Sequence, residues 1–179
     1  MSPVWQDSRK FKFSPTLPKP SDTSTSHKEA RMRMRNVLIP ALICLTMPLM
    51  AQQEKAKALV KEAIAFGKKN GKEALLKEVN VATGRFHVKS GDDMYVFVYD
   101  MQGLCLGMGF QTAAIGTNRW NIKDPDGVMI LQEFVKTVQA KGSGWVDYKV
   151  PNPKTNKMDA KTSYVEGMDG WVIGCGIYK

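Results

Sequence analysis

From residue 54 to 66 the apolar residues Ala56, Leu59, Val60, Ala63 and Ile64 return every three or four positions, with Lys and Glu between them. That is the period of an amphipathic helix laying its apolar stripe against a flat surface. Gly67 and the Lys68-Lys69-Asn70-Gly71 that follows read as a break or kink, after which residues 72–79 resume helical spacing. Residues 80–90 read as a loop with local strand character around Phe86 to Val88. Beyond them the pattern changes to short apolar runs bounded by turn residues, at 94–99, 104–108, 145–150, 161–166 and 171–178. Asp100-Met101-Gln102-Gly103 turns the first run into the second, and residues 167–170 turn the fourth into the fifth. Between the second and third runs lies an irregular stretch, 109–123, and then a helical pattern with Val128, Leu131, Phe134, Val135 and Val138 on its inward face. Asp124 is its expected N-cap, Pro125 its first residue, and Gly142 and Gly144 its stop. Strand, strand, helix, strand, strand, strand suits an α+β fold with one curved antiparallel sheet. The concave face of such a sheet can hold a small molecule.

Charge changes the picture only at the N-terminus. The net charge of +9 is uneven: residues 1–51 hold eight Lys or Arg against three acids, and residues 52–179 hold eighteen against fourteen. The lysines of the larger part are scattered among acids, with no basic face carrying stacking aromatics, so nucleic acid is not an expected partner. Arg31, Arg33 and Arg35 precede a 14-residue apolar run, Val37 to Met50, which ends at Ala51. Basic, apolar, then small is the order of a secretory signal, and the run is shorter than the roughly 20 residues that span a bilayer. The expectation is a signal over 31–51 cleaved near Ala51, no stable membrane span, and a periplasmic or secreted protein. A retained signal would make it an inner-membrane anchor instead. Residues 1–30, polar and rich in Ser, Thr and Pro, read as a disordered extension or a misplaced start. Hydrophobic and charged fractions of 43% and 24% are ordinary, and residues 52–179 read as a single domain.

Within that domain the following stand in order: Gly71-Lys72-Glu73-Ala74, Asn80, Gly84-Arg85-Phe86, Tyr95-Val96-Phe97-Val98-Tyr99-Asp100 and Lys123-Asp124-Pro125-Asp126-Gly127. Gly144-Trp145-Val146-Asp147-Tyr148, Asn152-Pro153, Lys161-Thr162-Ser163-Tyr164-Val165 and Gly174-Cys175-Gly176-Ile177-Tyr178 complete the series. Over residues 54–179 this resembles a single Cache domain of the second type, a PAS-like extracellular sensor fold. The resemblance implies a long N-terminal helix packed on a five-stranded antiparallel sheet of order 2-1-5-4-3, one helix between strands two and three, and a ligand pocket on the other face. Such domains often carry Ala-His after strand two, where this chain has Gly107-Met108-Gly109, so the ligand does not transfer with the fold. The implied order also puts strand one between Cys105 and Cys175. Two strand spacings are roughly 9–10 Å, beyond the ~7 Å a disulfide spans. Two buried free thiols are expected.

The candidate ligand-binding residues are Arg119, Trp120, Lys161, Ser163, Tyr99, Tyr148 and Tyr164. Arg119 and Lys161 would clamp a carboxylate, one through a planar fork and one as a point charge. Ser163 shares a strand face with Lys161. Trp120 and the three tyrosines would wall a pocket and orient its guest, while Trp145 and Trp171 are expected to pack between sheet and helix. His87 could pair with Cys105 or Cys175, but no third orienting group is indicated and a strand-embedded thiol is inert, so no catalysis is expected. No cofactor or metal is expected either; Asp124-Pro125-Asp126-Gly127 echoes a calcium loop without its later Glu. The expected function is to bind a small organic acid and present it to a separate membrane chemoreceptor or sensor kinase. The alternative is a structural or interaction module of a cell-envelope complex, its pocket filled by side chains.

Overall fold

The stripe read over 54–66 belongs to a longer helix. In the computed structural model, which describes residues 40–90 and 92–179, helix α1 runs Pro40–Asn70 and α2 runs Lys72–Asn80. The break falls at Gly71, not at Gly67. Gly71 adopts φ 95, a conformation that costs a residue with a Cβ but not glycine. Gly67 stays helical and serves close packing, since a Cβ there would come within 3.0 Å of both Leu75 Cδ2 and Met168 Cε. The extension expected over 1–30 and the basic part of the expected export signal lie outside the described residues, while residues 40–51 open α1. Among the described residues no helix is long and apolar enough to cross a membrane.

Five strands follow: β1 (Val96–Asp100), β2 (Cys105–Met108), β3 (Ser143–Asn152), β4 (Lys157–Met168) and β5 (Trp171–Tyr178). They form one antiparallel sheet of order β2-β1-β5-β4-β3, the order the resemblance implied. β3 and β4 outrun their apolar cores, because their ladder continues from Ser143↔Glu166 to Asn152↔Lys157 through polar positions. Phe86 to Val88 form turns rather than a strand. Their backbone is still used: Val96 N donates to Phe86 O at 3.1 Å and Val88 N to Gly109 O at 2.7 Å.

Helix α3 spans Ile130–Lys141, six residues later than the expected cap. Asp124 organises a turn instead. Its Oδ1 accepts from the N–H groups of Asp126 (2.9 Å) and Val128 (2.8 Å), and its Oδ2 from that of Lys149 (2.9 Å). Burial opposes the charge, but these three donors outweigh it and hold the carboxyl below its usual range. A short Asp side chain that bonds nearby backbone competes with helix formation, and here it ties the loop to the edge of β3. The helix stops at Gly142 as expected, its N–H reaching Val138 O at 2.8 Å.

Strand alternation then divides the interior in two. On one face Val98, Ile173, Cys175 and Tyr164 pack against Val60, Ala63, Leu75 and Val79 of α1 and α2, with Trp145 and Trp171 partly buried at the margin. On the other face Phe97, Val146, Val165 and Val172 pack against Leu131, Phe134 and Val135 of α3. Each fully buried Ile or Leu contributes about 1.5–3 kcal/mol to such a core. Cys105 and Cys175 are buried and free, Cys105 opposite Tyr99 and Cys175 opposite Val96, and they belong to different faces. Burial pushes the Cys175 thiol up to about 12 and raises that of Cys105 too, so neither is a ready nucleophile.

Candidate ligand-binding site

The α3 face of the sheet is only partly filled. Between it, α3 and the 109–123 loop lies a cavity of about 610 Å³. Tyr95, Phe97 and Tyr99 reach it from β1 and the residue before it, Tyr148 from β3, Lys161 from β4 and Tyr178 from β5. Alternation explains the choice, because the intervening Val96 and Val98 bury on the helix face. Met108, Ile130, Leu131 and Phe134 supply an apolar wall. Phe97 stacks on Phe134 with centroids 5.5 Å apart, and Phe134 meets the edge of Tyr148 at the same distance. The 109–123 loop contributes Phe110, Gln111, Arg119 and Ile122. Phe110 and Ile122 are 39% and 43% exposed, which marks them as the rim of the opening.

Lys161 is the outlier in this wall. It is 3% exposed, yet among the described residues no carboxylate stands within 4.0 Å of it. Its ammonium donates to the Tyr95 hydroxyl at 3.3 Å and lies over two rings, 4.5 Å from the Tyr178 centroid and 4.9 Å from that of Tyr95. Burial pushes its pKa below the ordinary lysine value, against the pull of Tyr178, Cys175 and Asp93. Asp93, the nearby acid, is engaged with Lys154 at 3.4 Å. Arg119 is half-buried, lines the same cavity, and has no acidic partner among the described residues. Both cations act on one hydroxyl: Lys161 bonds it, and Arg119 opposes the burial that pushes Tyr95 up to about 12. Burial raises Tyr99 and Tyr148 as well, so the cavity's phenols are neutral donors at neutral pH.

Of the residues singled out from the sequence, Arg119, Lys161, Tyr99 and Tyr148 line the cavity. Ser163 lies behind it, fully buried, and shares a hydrogen bond of 2.7 Å with the Tyr148 hydroxyl. Trp120 does not line it. It packs partly buried against the same apolar cluster, and its carbonyl accepts from Gln132 Nε2 at 3.2 Å. Tyr164 is on the opposite face, its hydroxyl donating to Glu166 Oε2 at 2.8 Å. Residue parity is the reason: the alternation that puts Lys161 and Ser163 on the cavity face turns Tyr164 away. Tyr95 and Tyr178 escaped the sequence reading. Tyr95 shares parity with Tyr99, and Tyr178 is the register partner of Lys161, so the strand pairing would have found both. Met108 gives this wall a thioether.

The family model described as single Cache domain 2 matches residues 50–179. The chain belongs to this family. The curated relatives that it matches include a sensor histidine kinase and a chemotaxis protein. The sensor histidine kinase MctS of Rhizobium johnstonii is 37% identical over 90 residues, 49% of this chain and 19% of that protein. The methyl-accepting chemotaxis protein McpP of Pseudomonas putida is 39% identical over 59 residues, 32% of this chain and 11% of that one. The chain thus spans less than a fifth of these relatives' length. A solved periplasmic sensor domain of a chemotaxis protein superposes with a TM-score of 0.57 at 27% identity, covering 78% of this chain and 98% of that domain.

Proposed function

We propose that this Cache domain binds a small organic anion, a carboxylate, in the cavity between the sheet, α3 and the 109–123 loop. One observation carries the reading. Lys161 is a buried ammonium in a cavity wall, supported by phenols and ring faces but neutralised by no carboxylate among the described residues. An unneutralised charge at such depth is costly. A ligand carboxylate would offset that cost, with Arg119 as its second partner. The apolar wall of Met108, Leu131 and Phe134 suits a short hydrocarbon tail. The domain then reports occupancy as a periplasmic module, to a membrane chemoreceptor or sensor kinase. The kinship with sensor modules of both kinds supports this.

The rival reading, an interaction module with a plugged pocket, calls for side chains filling the space, and a cavity of about 610 Å³ weighs against it. Calorimetry and thermal melts with acetate, propionate, butyrate, succinate and glutamate decide between them. Monocarboxylates are expected to raise the melting temperature and to lose that effect in Arg119→Ala, by about tenfold to a hundredfold in affinity. If no acid at millimolar concentration shifts the melt, the proposal is wrong.

A further inference from the structure

Lys161 reaches its place by a path that depends on a residue it does not bond. Across the β4–β5 ladder, Gly176 is the partner of Ser163 and Tyr178 the partner of Lys161. A Cβ built on Gly176 would lie 2.5 Å from Lys161 Cε, 3.4 Å from its Cδ and 2.4 Å from Ser163 Oγ. The lysine stem therefore crosses β5 in the space that a side chain at 176 would take. At the end of that channel the ammonium meets the face of Tyr178, 4.5 Å from the centroid. That ring is tethered through its hydroxyl, which donates to Pro151 O at 3.1 Å. The alternative support for a buried ammonium, a protein carboxylate, would neutralise it and occupy the place of a ligand. A ring face attracts the cation through its quadrupole and accepts none of its protons. Tyr178 thus holds the charge in place and leaves N–H groups free for a guest.

We infer that Gly176 and Tyr178 are positioning residues for the anion site, the glycine by opening the channel for the Lys161 stem and the tyrosine by holding the ammonium un-neutralised at its end. The inference rests on the carboxylate reading above, and the test separates the two. In the ligand-free full chain, the Lys161 Cε–Hε signal, assigned by its loss in Lys161→Met, is expected far upfield from the currents of the Tyr178 and Tyr95 rings. Gly176→Ala and Tyr178→Leu move that signal toward the random-coil position and weaken propionate binding by about tenfold or more. Tyr178→Phe, which keeps the ring, restores most of both losses. If Gly176→Ala does not fold, the Tyr178 pair carries the test alone. Propionate binding of native strength in Tyr178→Leu, or an unshifted lysine signal in the native protein, overturns the positioning role. A native protein with the shifted signal that binds no carboxylate overturns the anion reading instead.

Discussion

The two faces of the sheet are built from the same strands and do opposite things. The face toward α1 and α2 is closed by hydrocarbon: Val60, Leu75 and Val79 meet Val98 and Ile173, all fully buried. The face toward α3 leaves about 610 Å³ open and buries Lys161 and Ser163 at its wall. Glycines differ in the same sense. On the helix face they let elements approach, as Gly107 does where a Cβ would stand 3.1 Å from Val79 Cγ1. On the cavity face they make room for other side chains, as Gly174 does beneath the Phe97 ring, 2.4 Å from a built Cβ. Both faces bury an apolar cluster, and the α3 face also holds the cavity and the buried lysine. The lesson is that the two should respond separately to substitution.

Ile173→Ala strikes the centre of the closed face. It is expected to cost about 2–5 kcal/mol in urea denaturation, while the folded fraction keeps native carboxylate affinity; a large loss of affinity would dissolve the contrast. Lys161→Met strikes the open face. Carboxylate affinity should fall by about 2–5 kcal/mol in calorimetry, yet the free protein should melt higher, because a buried charge has been removed. A lower melting temperature would mean the ammonium stabilises the fold.

Alkaline pH gives a third test. Burial puts the Lys161 pKa in the folded protein below the unfolded value of 10.5. As pH rises through the folded value toward the unfolded one, the unfolded chain holds the extra proton, so stability from this group increases. Carboxylate affinity should fall over the same window, by up to about tenfold per pH unit. Tyr95, at about 12, stays neutral there and does not mimic the effect. Calorimetry from neutral to alkaline pH reads it, and a flat profile would exclude Lys161 as the anion's partner. The smallest effect belongs to Tyr164→Phe, which removes a hydroxyl bonded to Glu166 on the closed face. It should cost no more than about 1 kcal/mol and leave affinity within about twofold; a larger drop would mean the faces communicate.

Much of this was legible in the chain. β5 was read to the residue, since Gly167 to Gly170 and the chain's apolar run bound it on both sides. Leu131, Phe134, Val135 and Val138 of the inward stripe of α3 follow from its period, whereas Val128 lies before the helix and Ile130 takes the first buried place. The errors have local causes. Gly67 and Gly71 look alike in sequence, and only the packing of Leu75 and Met168 shows which one continues the helix. Asp124 looks like a cap, and only β3 supplies the Lys149 N–H that draws its carboxylate elsewhere. Tyr164 was grouped with the wall by residue type, although period-two alternation already put it opposite Lys161. The two ring faces on Lys161 needed strand register, which a single strand's pattern does not carry.

The pair of glycines on β5 has a consequence for how the cavity could be refitted to another guest. A side chain at 174 or 176 would collide with the Phe97 ring or the Lys161 stem before it reached the cavity. Changes that refit the cavity to another chain length or head group therefore fall to the loop, the helix and the residues that flank these glycines.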